Sequence, residues 1–227
     1  MTSDYYTLLT SLPYMKSLFG SRRTPISRYQ LNKRLSMLSE DDRKILTQIE
    51  LLLFWEYPDN TEEQQLIRLA NETVAAIQSD SLRDFVIYEL NRRTLIMAVR
   101  LKLAGAPMPT KPCWSYGTYC GYMQNNWGSP SLGLHNTFPE ISQITEAMSN
   151  NETLKVEKII LQSMWKHASK LSMRHHFDFE SVVVYLVRWN LIHNFVSQNK
   201  AEAATRFNEL VNKELKDFDT SLSFIKQ

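Results

Sequence analysis

Glycine is scarce in this chain, with 6 among 227 residues, and proline adds 8. So few turn-forming residues argue against β-sandwiches, collagen-like repeats and long flexible linkers. Cysteine is scarcer still. Cys113 and Cys120 cannot build a disulfide framework, and the spacing between them is wider than that of zinc-ribbon or thioredoxin pairs. Reduced structural thiols in a reducing cytosol are the expectation. No apolar run approaches the roughly 18 residues a spanning helix needs; the longest are Leu51 to Trp55 and Val182 to Leu186. Asp4 near the start, without a basic-then-apolar leader, gives no expectation of export. Neither sign of charge dominates. Lys and Arg total 26 against 24 Asp and Glu, net +2, the balance of a folded domain rather than of a nucleic-acid binder. There is no phosphate-binding Gly-x-x-x-x-Gly-Lys loop, zinc-binding His-Glu-x-x-His helix, Gly-x-Ser-x-Gly elbow or dinucleotide fingerprint. No catalytic residue and no cofactor are expected, and ATP hydrolysis by this chain itself is not.

What is present is helical periodicity. Ser39 with Asp42 resembles a capping box, and behind it Ile45, Leu46, Ile49, Leu52 and Leu53 make one stripe of a 3.6-residue helix ended by Pro58. Asn60 or Thr61 then caps a helix striped by Leu66, Ala70, Val74 and Ile77, with Glu62 and Glu63 at its positive end. A third helix starts near Asp80 or Ser81 and runs to Ala104, where Gly105 suits a left-handed cap and Pro107 prevents continuation. Pro139 opens a short helix through Met148. Asn151 caps the next, with Val156, Ile160, Met164, His167 and Leu171 at helical spacing. Asp178 caps a helix from Phe179 to about Val196; its run Val182 to Val187 is β-branched but lacks alternation, so helix is predicted there too. Asn199 with Glu202 opens a last helix carrying Phe207, Leu210, Val211 and Leu215. Tyr5, Tyr6, Leu8, Leu9 and Leu12 read as a short helix before Pro13. The predicted class is all-α, a multi-helix bundle of two helical halves, 1–104 and 139–227. Between them lies a connector, 105–138, rich in glycine, proline and aromatics, whose Trp114, Tyr116, Tyr119 and Trp127 offer a contact surface.

Three groups of polar residues stand out. In residues 1–34, Lys16, Arg22, Arg23, Arg28, Lys33 and Arg34 face only Asp4, giving +5 there and leaving −3 for the rest. That basic segment is either a face for an acidic partner or anionic headgroups, or a solvated loop. Glu89 precedes Arg92 and Arg93 by three and four residues, so a helix brings them together, in a buried register-fixing pair or an exposed one. His175, His176 and Asp178, with His167 on the preceding helix, are candidate metal ligands or a structural helix junction.

Three segments in order carry a resemblance. They are Tyr5-Tyr6-Thr-Leu-Leu-Thr-Ser-Leu12-Pro13 with Leu38-Ser39-Glu40-Asp41-Asp42, then Leu82 through Glu89, Arg92 and Arg93 to Gly105, and finally His175-His176-Phe177-Asp178-Phe179-Glu180 with Ala203 to Leu210. Together they resemble a bacterial family associated with V-type (A/V-type) ATPases and related to their central-stalk adaptor, the C-type (or d-type) subunit. The resemblance implies a non-catalytic, all-helical adaptor of that C-type architecture, which links the rotor shaft to the membrane proteolipid ring and transmits torque. Its partners would be other ATPase subunits. Its place would be peripheral, on the cytoplasmic face of the inner membrane and without a spanning segment of its own, with Arg22, Arg23, Arg28 and Arg34 at the joint. A free-standing helical interaction scaffold, and a metal-dependent hydrolase using His175, His176 and Asp178, are the alternatives.

Overall fold

A computed structural model describes residues 2–54, 63–111 and 114–199. Its described residues form nine helices and no strand, so the class is all-α. The helices are α1 (Thr2–Ser11), α2 (Arg28–Leu35), α3 (Glu40–Phe54), α4 (Glu63–Ala76), α5 (Asp80–Leu103), α6 (Cys120–Asn125), α7 (Ile141–Ser149), α8 (Thr153–Ser172) and α9, residues 179–199. Pro58, the proposed caps Asn60 and Thr61, Cys113 and the helix expected beyond Asn199 lie outside the described residues.

Local signals set most of these boundaries. Ser39 Oγ accepts from Asp42 N and starts α3. Ser79 caps α5, accepting from Leu82 N, one position before the expected start. At its far end Gly105 adopts φ +72°, Gly105 N donates to Lys102 O and Ala106 N to Leu101 O. That doubly bonded turn is the Schellman ending, which glycine adopts without a steric penalty. Asp178 caps α9 as expected, its Oδ1 accepting from both the N and the Oγ of Ser181. The β-branched run Val182 to Val187 is helical and, apart from Tyr185, buried. Burial on nearly all sides explains its missing alternation.

Two boundaries correct the sequence reading. Asn151 does not cap α8. It sits at φ +56° with Asn151 N donating to Met148 O and Glu152 N to Ala147 O, so it ends α7. Asparagine suits both a cap and a left-handed position, and the sequence does not separate the two. The second is α2, where, as at α6 within the connector, no helix was expected. It opens with a full capping box, Ser27 Oγ accepting from Gln30 N and Gln30 Oε1 accepting from Ser27 N.

Packing runs across the division into halves and connector. One apolar cluster joins α1 to α4 and the first half of α5, through Leu90, to the later part of α8 and to α9. The other joins Leu95 to Val99 of α5 with Trp114, Cys120, Met123, Leu132, Leu134 and Phe138 of the connector, α7, and Val156 of α8. α5 passes through both clusters and carries no apolar stripe, because nearly every side of it is covered. Its Leu82, Phe85, Val86, Leu95, Ala98 and Val99 are all buried, each large side chain among them contributing about 1.5–3 kcal/mol of burial free energy.

Candidate functional site

α5 also buries four polar side chains, Glu89, Asn91, Arg92 and Thr94. Buried polar groups are costly unless bonded, so their partners define what the helix holds. Asn91 Oδ1 accepts from Thr118 N at 3.0 Å, and Thr94 Oγ1 donates to Tyr116 O at 2.5 Å. Both fasten the connector to α5. A Cβ on Gly117 would collide with Asn91 Oδ1, and the Gly117 φ is +132°, so this docking requires glycine.

Glu89 and Arg92 form the centre of a second network. Glu89 Oε2 pairs with Arg92 Nη2, and their side chains are 2% and 5% exposed. His167 Nδ1 donates to Glu89 Oε1 at 2.7 Å from α8. Arg92 Nη1 is 3.8 Å from Glu140 Oε1, and that oxygen accepts from Ser163 Oγ at 2.6 Å. The His167 ring lies against Phe85 and Tyr88, with centroids 4.7 and 4.4 Å away. Burial, reinforced by the Glu140 charge, pushes the Tyr88 phenol up to about 12. α5, α8 and the start of α7 are thus joined by charge as well as by apolar contact.

Helical spacing was sufficient to bring Glu89 to Arg92, and the pair is buried. Arg93 reaches α3 instead, where Nη1 donates to Leu52 O at 3.1 Å. His167 enters through a partner 78 residues away, and Glu140 and Ser163 were not singled out by the sequence at all. Only helix-to-helix packing brings these groups together.

The histidine junction has a different membership from the one expected. His175 Nδ1 is 2.8 Å from Asp178 Oδ2 and 4.0 Å from Glu180 Oε2, while His175 Nε2 is 2.7 Å from Ser81 Oγ. His176 is exposed and stands outside this group. His175, Asp178 and Glu180 are the described residues close enough together to hold a metal, with ligand atoms within 4.8 Å of one another. Both His175 nitrogens are already engaged, and Asp178 Oδ1 caps α9, so the same groups tie the start of α9 to the start of α5. Burial raises the Asp178 carboxyl, but bonds from Ser181 and His175 outweigh it and hold the group below the usual carboxylate range.

The N-terminal arginines divide into two pairs. Arg28 is bidentate to Glu50, with Nη2 to Oε2 at 2.8 Å, and its guanidinium lies 5.6 Å from the Trp189 ring centroid. Arg34 Nε donates to Ser11 O at 3.0 Å. Arg28 fastens the N-terminal segment to the body, and Arg34 ties α2 to the end of α1 within that segment. Arg22 and Arg23 are exposed. Along the same stretch Tyr14 is 87% and Tyr29 78% exposed.

The connector turns its aromatics inward. Trp114 is buried, Tyr116, Tyr119 and Trp127 are half-buried against the core, and Tyr119 meets Phe138 edge-on at 6.1 Å. The offered contact surface is largely core, and the connector's length reflects a packed subdomain rather than an open loop. Among its tyrosines and tryptophans, Tyr122 alone is exposed.

None of the described helices is long and apolar enough to cross a membrane. No curated protein and no solved structure matches this chain. A family model described as a protein of unknown function (DUF2764) matches residues 61–217, well over half of the sequence. The chain is therefore a member of the DUF2764 family.

Proposed function

We propose that this chain is a non-catalytic component of a V/A-type rotary ATPase, resembling the C-type central-stalk adaptor, and couples the rotor shaft to the membrane proteolipid ring. It is peripheral on the cytoplasmic face of the membrane, held there by the complex. The observation that carries the reading is the combination on residues 14–29: exposed Tyr14 and Tyr29 in one segment with exposed Arg22 and Arg23, beside arginines 28 and 34 that are spent internally. Aromatic residues and arginine are the types enriched at protein interfaces. The buried ion network supports the mechanical side of the reading. A torque-bearing part must not slip between helices, and Glu89, Arg92, His167 and Glu140 oppose sliding of α5 past α8 and α7. These charges are directed at one another across helices, which is the arrangement of a fastening.

Affinity purification of the tagged full chain from membranes of its native cell, with mass spectrometric identification of what accompanies it, tests the proposal. Shaft and ring subunits in near-stoichiometric amount are expected. Their absence, with the tagged chain recovered intact, would overturn it.

A further inference from the structure

From Tyr5 to Ser39 the chain has no Asp or Glu. Two of the cations in that stretch, Arg28 and Arg34, have partners within the fold. The other four, Lys16, Arg22, Arg23 and Lys33, are exposed, and their side chains make no hydrogen bond or ion pair among the described residues. Large aromatic side chains stand exposed between them: Tyr14, Tyr29 and, at 42%, Phe19.

α9 backs this segment at three points. Tyr185 Oη donates to Pro13 O at 3.1 Å, Trp189 Nε1 donates to Ile26 O at 2.9 Å, and the rings of Phe19 and Phe195 meet edge-on at 5.2 Å. Met15 and Leu18 are buried, while their neighbours Tyr14, Lys16 and Phe19 are exposed. On α2, Leu31 and Leu35 are buried, and Tyr29 and Lys33, four residues apart, lie together on the open face. A surface of cations and aromatic rings without a carboxylate suits an anion. No contact holds the four cationic side chains in one geometry, so they match no directed set of carboxylates on a protein partner. Lipid phosphates move laterally and meet cations at any spacing. Tyrosine, with an apolar body and a hydroxyl tip, is enriched at the membrane–water boundary. Each cation near an anionic leaflet strengthens binding by about fivefold.

We propose that the face formed by residues 14–33 binds the anionic surface of a bilayer directly, its cations at the lipid phosphates and its aromatic rings at headgroup depth. This deepens the peripheral placement proposed above and rests on it for its setting. The test uses the purified full chain and no other subunit, so its failure is distinct from a failure of copurification. Cosedimentation is measured with vesicles of phosphatidylcholine alone and of phosphatidylcholine with phosphatidylglycerol, at low and high salt. Binding to the phosphatidylglycerol vesicles is expected, weakened by salt and at least about tenfold weaker to phosphatidylcholine alone. Arg22→Glu/Arg23→Glu should weaken that binding at least about tenfold. Tyr14→Ser/Tyr29→Ser should weaken it several-fold, and both variants should keep the parent's melting temperature because all four residues are exposed. Polyglutamate and a single-stranded oligonucleotide should compete poorly with the vesicles. Equal binding to phosphatidylcholine alone, full binding by the Arg22→Glu/Arg23→Glu variant, or displacement by either soluble polyanion at matched charge would overturn the proposal.

Discussion

His167 Nδ1 donates to Glu89 Oε1 across 2.7 Å, although the two residues are 78 positions apart. The same carboxylate holds Arg92 through its other oxygen, so one acidic group serves a cation on its own helix and an imidazole on another. Removing a single member of such a buried network should be far worse than removing the charges together. Glu89→Leu strands Arg92 in the core and should cost about 3–5 kcal/mol, whereas Glu89→Leu with Arg92→Met should regain most of that loss. Urea unfolding of both variants and the parent measures the difference. A single substitution costing under about 1 kcal/mol would place the pair in the class of exposed, weakly coupled ions instead.

Asp178 links acid stability to the start of α9. Its folded carboxyl is held below the usual value, so its contribution is present above the unfolded value near 3.8 and is lost as pH falls through the lower folded one. Unfolding free energy followed from about pH 5 to about pH 2 should show this fall in the parent. Asp178→Asn keeps a good capping oxygen but cannot titrate, and should flatten the acid limb. An unchanged limb in the variant would assign the acid sensitivity to other carboxylates.

Two phenols should ionise late. Burial pushes Tyr88 and Tyr185 up to about 12; for Tyr88 the Glu140 charge adds to burial, and for Tyr185 the Arg34 charge opposes it. Because the neutral phenol is favoured in the fold, their stabilisation is complete below the unfolded value near 10 and is lost as pH rises towards 12. Absorbance titration at alkaline pH, native against urea-unfolded, should show most of the 10 tyrosines ionising normally and a small set lagging. Tyr88→Phe should shrink that set. Identical native and unfolded titrations would contradict the packing around both residues.

Local chemistry was legible in the sequence and distant pairing was not. The 24 residues of α5 were readable because a serine-rich start and Gly105 with Pro107 beyond it bracket a continuous helical pattern. Val182 to Val187 was readable against its β-branching, because length and missing alternation outweigh intrinsic preference. The Glu89–Arg92 pair followed from spacing alone, but its burial depended on α7 and α8 covering it. His167 was visible only as one position in a stripe, since nothing local points an imidazole at a carboxylate three helices earlier in the chain. The box at Ser27 and Gln30 was a readable signal for α2, obscured by the polar character of a helix that buries only Leu31 and Leu35. Trp114 and Tyr119 were expected to face a partner because a long aromatic connector resembles a binding loop. Their rings instead supply core for a stretch with few aliphatic residues of its own.

In the proposed assembly Arg22 and Arg23 lie at the joint with the rotary ATPase. The decisive measurement isolates the ATPase from native membranes through its catalytic subunit and quantifies this chain in the complex, comparing the parent with Arg22→Glu/Arg23→Glu. Both residues are exposed, so the variant should keep the parent's melting temperature. The account predicts that the parent chain copurifies in fixed proportion and that the variant is depleted several-fold. A parent chain absent from the isolated complex, or a variant retained in full, would contradict it.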